Sequence, residues 1–326
     1  MNDTMETKAL KNIKNLKELS KSNDRFEGSH LLCPGCAHSI IVRGILNATD
    51  NHLVIATSTG CLQVCSAIYP YTSWDTSWIH IGFSNSSSSI SGVEAMSRAL
   101  KNKNRLPIAK DKKPTKFIAI GGDGATYDIG FQWLSGVIER GHDITYICLD
   151  NEVYANTGGQ RSSSTPIGSS TTTSPAGRVS YSKKEKKKDI VSIMASHYAP
   201  YVAQTIPGKW KDMLKKLQLA INTNGPTFVN VMSPCTTEWK FHESKTIQIS
   251  DLATDSLVVP LYEITNGNKL KITYRPKNIL PVRDNLVAQG RFKHLFKKEN
   301  EYLIDKLQKE VEDRWEYLQR REEAQI

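Results

Sequence analysis

Two apolar runs constrain this chain more than any other feature. Lys116-Phe117-Ile118-Ala119-Ile120 leads into Gly121-Gly122-Asp123-Gly124-Ala125, and Ile144-Thr145-Tyr146-Ile147-Cys148-Leu149 leads into Asp150-Asn151-Glu152-Val153. Each run has the length and apolar content of a buried strand, and residues 126–140 between them predict a helix. Strand, helix, strand is a βαβ unit, which commits the chain to a parallel sheet covered on both faces. It also carries two oxygen donors, Asp123 and Asn151, 28 positions apart, to strand ends that open on one edge of the sheet.

Donors so placed suit a hard cation held against a diphosphate. Mg2+ takes six oxygens at ~2.0–2.1 Å, and a diphosphate supplies two. The Asp123 carboxylate, the Asn151 amide and the backbone carbonyl of Val153 can supply more. Gly122 and Gly124 let the backbone approach phosphate with no Cβ between, and Ala125 continues the same stretch. A helix starting near Thr126 would turn its free N–H groups toward the anion. Gly-Asp-Gly alone is equally a turn; its pairing with a second strand ending in Asp-Asn favours the site. Residues 121–130 do not spell Gly-x-Gly-x-x-Gly, which excludes the dinucleotide fingerprint. The cofactor class is thiamine diphosphate with Mg2+.

The chain has six cysteines, which in a protein this long point to metal or redox use before a disulfide framework. Cys33-Pro34-Gly35-Cys36 is a Cys-x-x-Cys pair that fits a redox dithiol, half a zinc site or half an iron–sulfur site. Cys61 follows a strand in Thr59-Gly60-Cys61, and Cys235 follows another in Ser233-Pro234-Cys235. Four thiolates, from Cys33, Cys36, Cys61 and Cys235, can enclose a [4Fe–4S] cube. A zinc site of Cys33, Cys36, Cys61 and Cys65 competes, though its spacing departs from the repeated Cys-x-x-Cys of zinc ribbons. Cys65 is expected to pack one helical turn after Cys61, and Cys148 to be a small core residue.

At 326 residues, 39% hydrophobic and 23% charged, the chain fits one large α/β domain with extensions. No apolar run approaches the ~20 residues of a membrane span, and no signal-type segment opens the sequence, so a cytoplasmic location is expected. The net charge of +10 reads as solvated lysines; no alternation of Arg and aromatic residues suggests a nucleic-acid platform. Residues 1–24 form a polar arm with Leu10, Ile13, Leu16 and Leu19 at helical spacing. Residues 25–250 form the binding domain, with strands near 53–57, 78–83 and 228–232, and helices after Cys36, over 90–100 and over 208–222. In the last, Trp210, Met213, Leu214, Leu217 and Ile221 make a core stripe. Residues 157–188, rich in Gly, Ser, Thr and Pro, read as a long functional loop that ends in the lysine cluster 183–188. Residues 251–326 form an extension, with a charged helix near 290–323, that is expected to pack on a partner subunit.

Several segments together resemble the β subunits of the pyruvate:ferredoxin oxidoreductase family, within the thiamine-dependent 2-oxoacid:ferredoxin oxidoreductases. They are Cys33-Pro34-Gly35-Cys36, Gly60-Cys61-Leu62-Gln63-Val64, Tyr69-Pro70-Tyr71-Thr72-Ser73-Trp74, Trp78-Ile79-His80, Gly121-Gly122-Asp123-Gly124, the run from Asp150 to Gln160, Thr165-Pro166 and Ser233-Pro234-Cys235. Gly290-Arg291-Phe292-Lys293-His294 is similar to the family's tail.

The resemblance implies a thiamine diphosphate-binding α/β fold, with helices on both faces of a mainly parallel sheet. It implies that Cys33, Cys36, Cys61 and Cys235 ligate a proximal [4Fe–4S] cluster, and that Asp123, Asn151 and the Val153 carbonyl hold Mg2+. It also implies that Asn156 faces the reacting carbon of thiamine and that His38 contacts the cofactor. The implied reaction converts pyruvate and coenzyme A to acetyl-CoA and CO2, with electrons passed to ferredoxin. The implied partners are an α subunit that supplies the glutamate missing here, with γ and ferredoxin-like δ subunits. Relatives acting on 2-oxoisovalerate or 2-oxoglutarate, a cluster-free thiamine-dependent decarboxylase or synthase, and a zinc-stabilised interaction protein are the alternatives.

Overall fold

The computed structural model describes residues 16–107 and 111–324. Among the described residues eight strands form one sheet in the order β2-β1-β3-β4-β6-β5-β7-β8. They are β1 His52–Ser58, β2 Ser77–Ile81, β3 Thr115–Gly122, β4 Ile144–Asp150, β5 Tyr201–Thr205, β6 Thr227–Met232, β7 Tyr262–Thr265 and β8 Lys269–Ile272. β1 to β6 pair in parallel; β7 and β8 add an antiparallel edge. The two apolar runs of the sequence are neighbours in register, Ile120 opposite Ile147 and Gly122 opposite Leu149.

Strand alternation divides the core between the two faces. Ile118, Ile120, Ile147 and Leu149 meet Ile41 and Ile45 of helix Ala37–Asn47 and Met213 and Leu217 of helix Trp210–Asn222. On the other face Ala119, Tyr146 and Cys148 meet Ile90 of helix Ser86–Asn102 and Leu134 of helix Phe131–Glu139. Cys148 is the small core residue expected of it. The stripe on Trp210–Asn222 is buried except for Trp210, which is half-buried. One polar residue joins it: Lys216 is 0% exposed, and its ammonium donates to Asp212, the Gln204 carbonyl and Thr273. All three donors of the ammonium are satisfied, which is the condition for burying it.

Three expectations change. The domain boundary at 250/251 falls inside helix Thr246–Asp255, and the residues after it extend the same sheet with β7 and β8. The charged tail helix, Tyr302–Ala324, buries Trp315 and Leu318 against Tyr262, Leu270 and Ile272 of its own chain. Its Glu322 accepts the Ile272 N–H at 2.8 Å, which covers part of the exposed sheet edge. The helix expected near Thr126 begins at Phe131; before it, Gly124–Asp128 forms one wide π-type turn. Of the N-terminal arm, Leu16–Leu19 is helical, and Leu10 and Ile13 of the expected stripe lie outside the described residues. Among the described residues no helix is long and apolar enough to cross a membrane.

Candidate functional site

The chain leaves β1 toward β2 on one side and returns as β3 on the other, so the ends of β1 and β3 part at a topological switch point. A cavity of about 240 Å3 lies there, walled by the segments after β1, β3 and β4. Gly122, Asp123, Gly124, Asn151, Val153, Asn156, His38 and Cys61 all line it. Ala125 does not; it is buried behind the turn, 2% exposed.

The wall suits a diphosphate and a cation. A Cβ built on Gly122 would meet nothing within 4 Å, so bare backbone faces open space at that point. Gly124 is glycine for another reason: a Cβ there would lie 2.1 Å from the Tyr154 ring, whose hydroxyl donates to Asp128 at 2.8 Å. Of the two glycines, Gly122 alone presents open backbone; the space beside Gly124 is filled by Tyr154. Asp123 is 2% exposed and accepts from the Ser162 hydroxyl. Burial, then the nearby Asp150, push its carboxyl well above the usual range. A buried carboxylate short of positive charge is the setting a cation relieves. The Asn151 amide oxygen accepts the Val153 N–H at 3.3 Å, and the Val153 carbonyl accepts the Ala155 N–H at 2.9 Å, so the chain turns tightly just past β4.

Beneath this wall lies a polar network that sequence reasoning does not identify. Asp150 is fully buried and accepts from Tyr127 at 2.7 Å, Lys187 at 2.8 Å, Asn230 at 3.2 Å and the Ser164 hydroxyl. Burial works to raise its pKa, but Lys187 and these hydrogen bonds prevail and hold it below the usual range. Lys187 also reaches Glu152 at 3.0 Å, and Arg291 reaches the same carboxylate at 2.6 Å. The lysine cluster is thus only partly a solvated surface: Lys183 donates to the Thr165 carbonyl, Lys187 joins the network and Lys188 donates to the Tyr127 carbonyl. The serines and threonines of loop 157–188 act as hydroxyl donors to Asp123, Asp150 and the Glu152 carbonyl. The available signal was the Gly290-Arg291 tail motif, whose role needed its partner Glu152, far away in sequence.

A second cavity of about 220 Å3 gathers Cys33, Cys36, Cys61, Cys65 and Cys235. It shares His38, Cys61, Asn151, Ala155 and Asn156 with the first, so the two spaces have a common wall. The Cys-x-x-Cys loop closes by a Cys36 N–H to Cys33 carbonyl bond of 3.0 Å. Gly35 sits in it at φ +70, with a would-be Cβ 2.3 Å from the Glu243 carbonyl, so no other residue fits. Thr236 and Thr246 pin that loop to the Cys235 side through the carbonyls of Pro34 and Gly35.

Burial, then the other cysteines of the group, push Cys61 up to about 12, and burial pushes Cys235 up to about 11. Crowded thiols that resist ionisation are relieved when metal replaces their protons. Among the described residues no three His, Cys, Asp or Glu side chains converge on a single ion, and a cube holds its thiolates farther apart than one ion does. His38 is held neutral by burial, at about 4, and its Nδ1 is buried without a partner. Cys65 sits one turn after Cys61 in helix Cys61–Ser66, as expected, and lines the same cavity as the other four.

Residues 58–231 match the family model described as thiamine pyrophosphate enzyme, C-terminal TPP binding domain. Pyruvate synthase subunit PorB of Thermotoga maritima is 44% identical over 319 residues, covering 95% of this chain and 97% of the relative. The subunit of the same name from Methanocaldococcus jannaschii is 46% identical over 293 residues, covering 90% and 96%. The chain belongs to the pyruvate synthase PorB family. It is an enzyme subunit built on a thiamine pyrophosphate-binding α/β domain. A solved 2-oxoglutarate:ferredoxin oxidoreductase from Magnetococcus marinus, described with 2-oxoglutarate, coenzyme A and succinyl-CoA bound, has a similar fold. Its TM-score is 0.54 at 24% identity, covering 70% of this chain and 72% of that one.

Proposed function

We propose that this chain is the β subunit of a pyruvate:ferredoxin oxidoreductase and holds thiamine diphosphate, Mg2+ and a proximal [4Fe–4S] cluster. The observation that carries the reading is the common wall: one cavity with a bare glycine backbone and a buried carboxylate adjoins one that collects five cysteines. Thiamine diphosphate supplies, when bound, the electron sink for chemistry at the 2-oxo carbon.

The chain's own residues have separable parts. Asp123, Asn151 and the Val153 carbonyl hold the cation, and Gly122 leaves room for the phosphates. The neutral His38 offers an unpaired Nδ1 to the bound cofactor from the common wall. Asn156, exposed at the boundary of both cavities, stands where substrate would enter. Cys33, Cys36, Cys61 and Cys235 ligate the cluster, and Cys65 stays beside it. Among the described residues lining the first cavity there is no glutamate. That supports a partner α subunit completing the thiamine site. Leu31, Ile68, Tyr69 and Tyr71 stand 64%, 49%, 96% and 75% exposed on the Cys65 side, an apolar surface suited to a partner. The γ and ferredoxin-like δ subunits and ferredoxin would take the electrons onward.

Iron, sulfide, zinc and thiamine content of the anaerobically purified complex tests this reading. About four irons and one thiamine for each copy of this chain are expected from its site. Zinc in place of iron would sink the cluster. Full pyruvate-dependent ferredoxin reduction by the isolated chain would sink the shared active site. Turnover of 2-oxoisovalerate and 2-oxoglutarate beside pyruvate decides the substrate.

A further inference from the structure

The tail segment Gly290–Phe296 reaches both halves of the site. Arg291 within it is 4% exposed. Its guanidinium donates to Glu152 at 2.6 Å and lies 4.0 Å over the indole ring of Trp239. Trp239, 2% exposed, donates its indole N–H to the backbone carbonyl of Asn151 at 2.8 Å. Trp239 also closes the short helix after Cys235, its N–H donating to the Cys235 carbonyl at 3.0 Å. A parallel tie runs from the Ser233 N–H to the Asp150 carbonyl at 2.7 Å. Glu152 sits at φ +64, a left-handed conformation that non-glycine residues seldom hold without external grip. Lys187, Arg291 and Thr165 provide that grip on its carboxylate and carbonyl.

We propose that Arg291 and Trp239 are positioning residues that make the cation loop Asp150–Val153 and the Cys235 segment one mechanical unit. Filling the thiamine–Mg2+ site is then felt at the cluster. The inference rests on the two-cofactor reading above. A planar guanidinium can stack on the indole and pair with the carboxylate at once; a lysine at that position forfeits the stack. Coupling of this kind is reciprocal, so it is readable from either site.

The test uses the whole complex and two signals other than activity. Thiamine diphosphate with Mg2+ is titrated by calorimetry, and the electron paramagnetic resonance spectrum and midpoint potential of the cluster are recorded with and without it. In the wild type the cluster signals are expected to shift on saturation. Trp239→Phe keeps an aromatic face under the guanidinium and removes the N–H donor together with the second ring. It is expected to weaken thiamine–Mg2+ binding roughly 10–100-fold and to lose most of the cluster shift at saturation, with iron content intact. Arg291→Gln should do the same, and Arg291→Lys should restore the binding only in part. If Arg291→Gln fails to assemble, Trp239→Phe decides alone. Unchanged binding in Trp239→Phe overturns the positioning role. Weakened binding with an unchanged cluster shift, or no shift in the wild type, overturns the coupling while the two-cofactor reading stands. A wild type without iron and sulfide overturns both.

Discussion

Lys187→Met asks whether a partly buried cation, paired with a wholly buried carboxylate, shapes the loop that ends β4. The Lys187 ammonium lies 2.8 Å from Asp150 and 3.0 Å from Glu152, and the Asp150 side chain is wholly inaccessible. Methionine keeps the length and the apolar stem and removes the charge. Removing one partner of a buried ion pair costs about 3–5 kcal/mol. Asp150 retains its donors from Tyr127 and Asn230, and Glu152 retains Arg291, so the loss belongs at the lower end, about 3 kcal/mol. At ~2.1 cal/mol/K of unfolding entropy per residue, 326 residues convert that to roughly 4 °C of Tm.

The pH dependence comes from the two shifts. Burial opposes both charged forms, yet Asp150 is held below its usual range and Lys187 above its own, because each outweighs burial for the other. A depressed carboxylate contributes stability above its unfolded pKa and loses it as pH falls through the folded value. A raised ammonium contributes below its unfolded pKa and loses it as pH rises through the folded value. The gap between wild type and variant is therefore full between about pH 5 and pH 9 and closes in acid. Thermal unfolding followed by circular dichroism at neutral and acid pH measures it. A variant within about 1 °C of wild type at pH 7, or a gap that widens in acid, would refute the reasoning.

Gly124→Ala forces a Cβ into the Tyr154 ring and is expected to cost about 1–3 kcal/mol and to weaken thiamine binding, because Tyr154 lines the cavity. Equilibrium dialysis with unaltered affinity would count against it. Cys235→Ala should lose the broad visible absorbance of anaerobically purified material while Cys65→Ala keeps it with full iron; the reverse pattern would exchange the fourth ligand. Burial, then Arg161, push Lys183 down to about 8 from 10.5, so the unfolded chain binds more protons across that window and stability rises with pH through it. Lys183→Met should flatten the rise in Tm between those two values, and an unchanged slope would reject the shift.

Legibility tracked locality. β3, β4, β6 and the helix over 210–222 could be read because each carries its own periodicity or a full apolar run. β5 is five residues long and buried throughout, with no alternation to read, and β7 and β8 have four residues each. Such strands exist because a sheet edge is already there to pair with. That Asp123, Asn151, Val153 and Gly122 meet at one cavity is legible for a similar reason: the end of a strand aims the next few residues toward the sheet's carboxyl edge. The withdrawal of Ala125 from the cavity and the packing of Tyr154 against Gly124 are not legible in the sequence, because the π-type turn and the Tyr154 ring depend on packing from elsewhere in the chain.

From its residues alone the chain commits to a parallel βαβ core, an oxygen-donor pair at its carboxyl edge and a set of cysteines whose spacing suits metal or redox use. Those are properties of short segments, set by side-chain period and by the donor atoms each residue carries. The common wall between the cavities, the inward turn of Lys187, the clamp of Arg291 on Trp239 and the place of Cys65 in the cysteine group arise on folding. Each depends on residues far apart in the chain, and charges and thiols like these acquire their roles only when burial removes water and leaves them one another as partners.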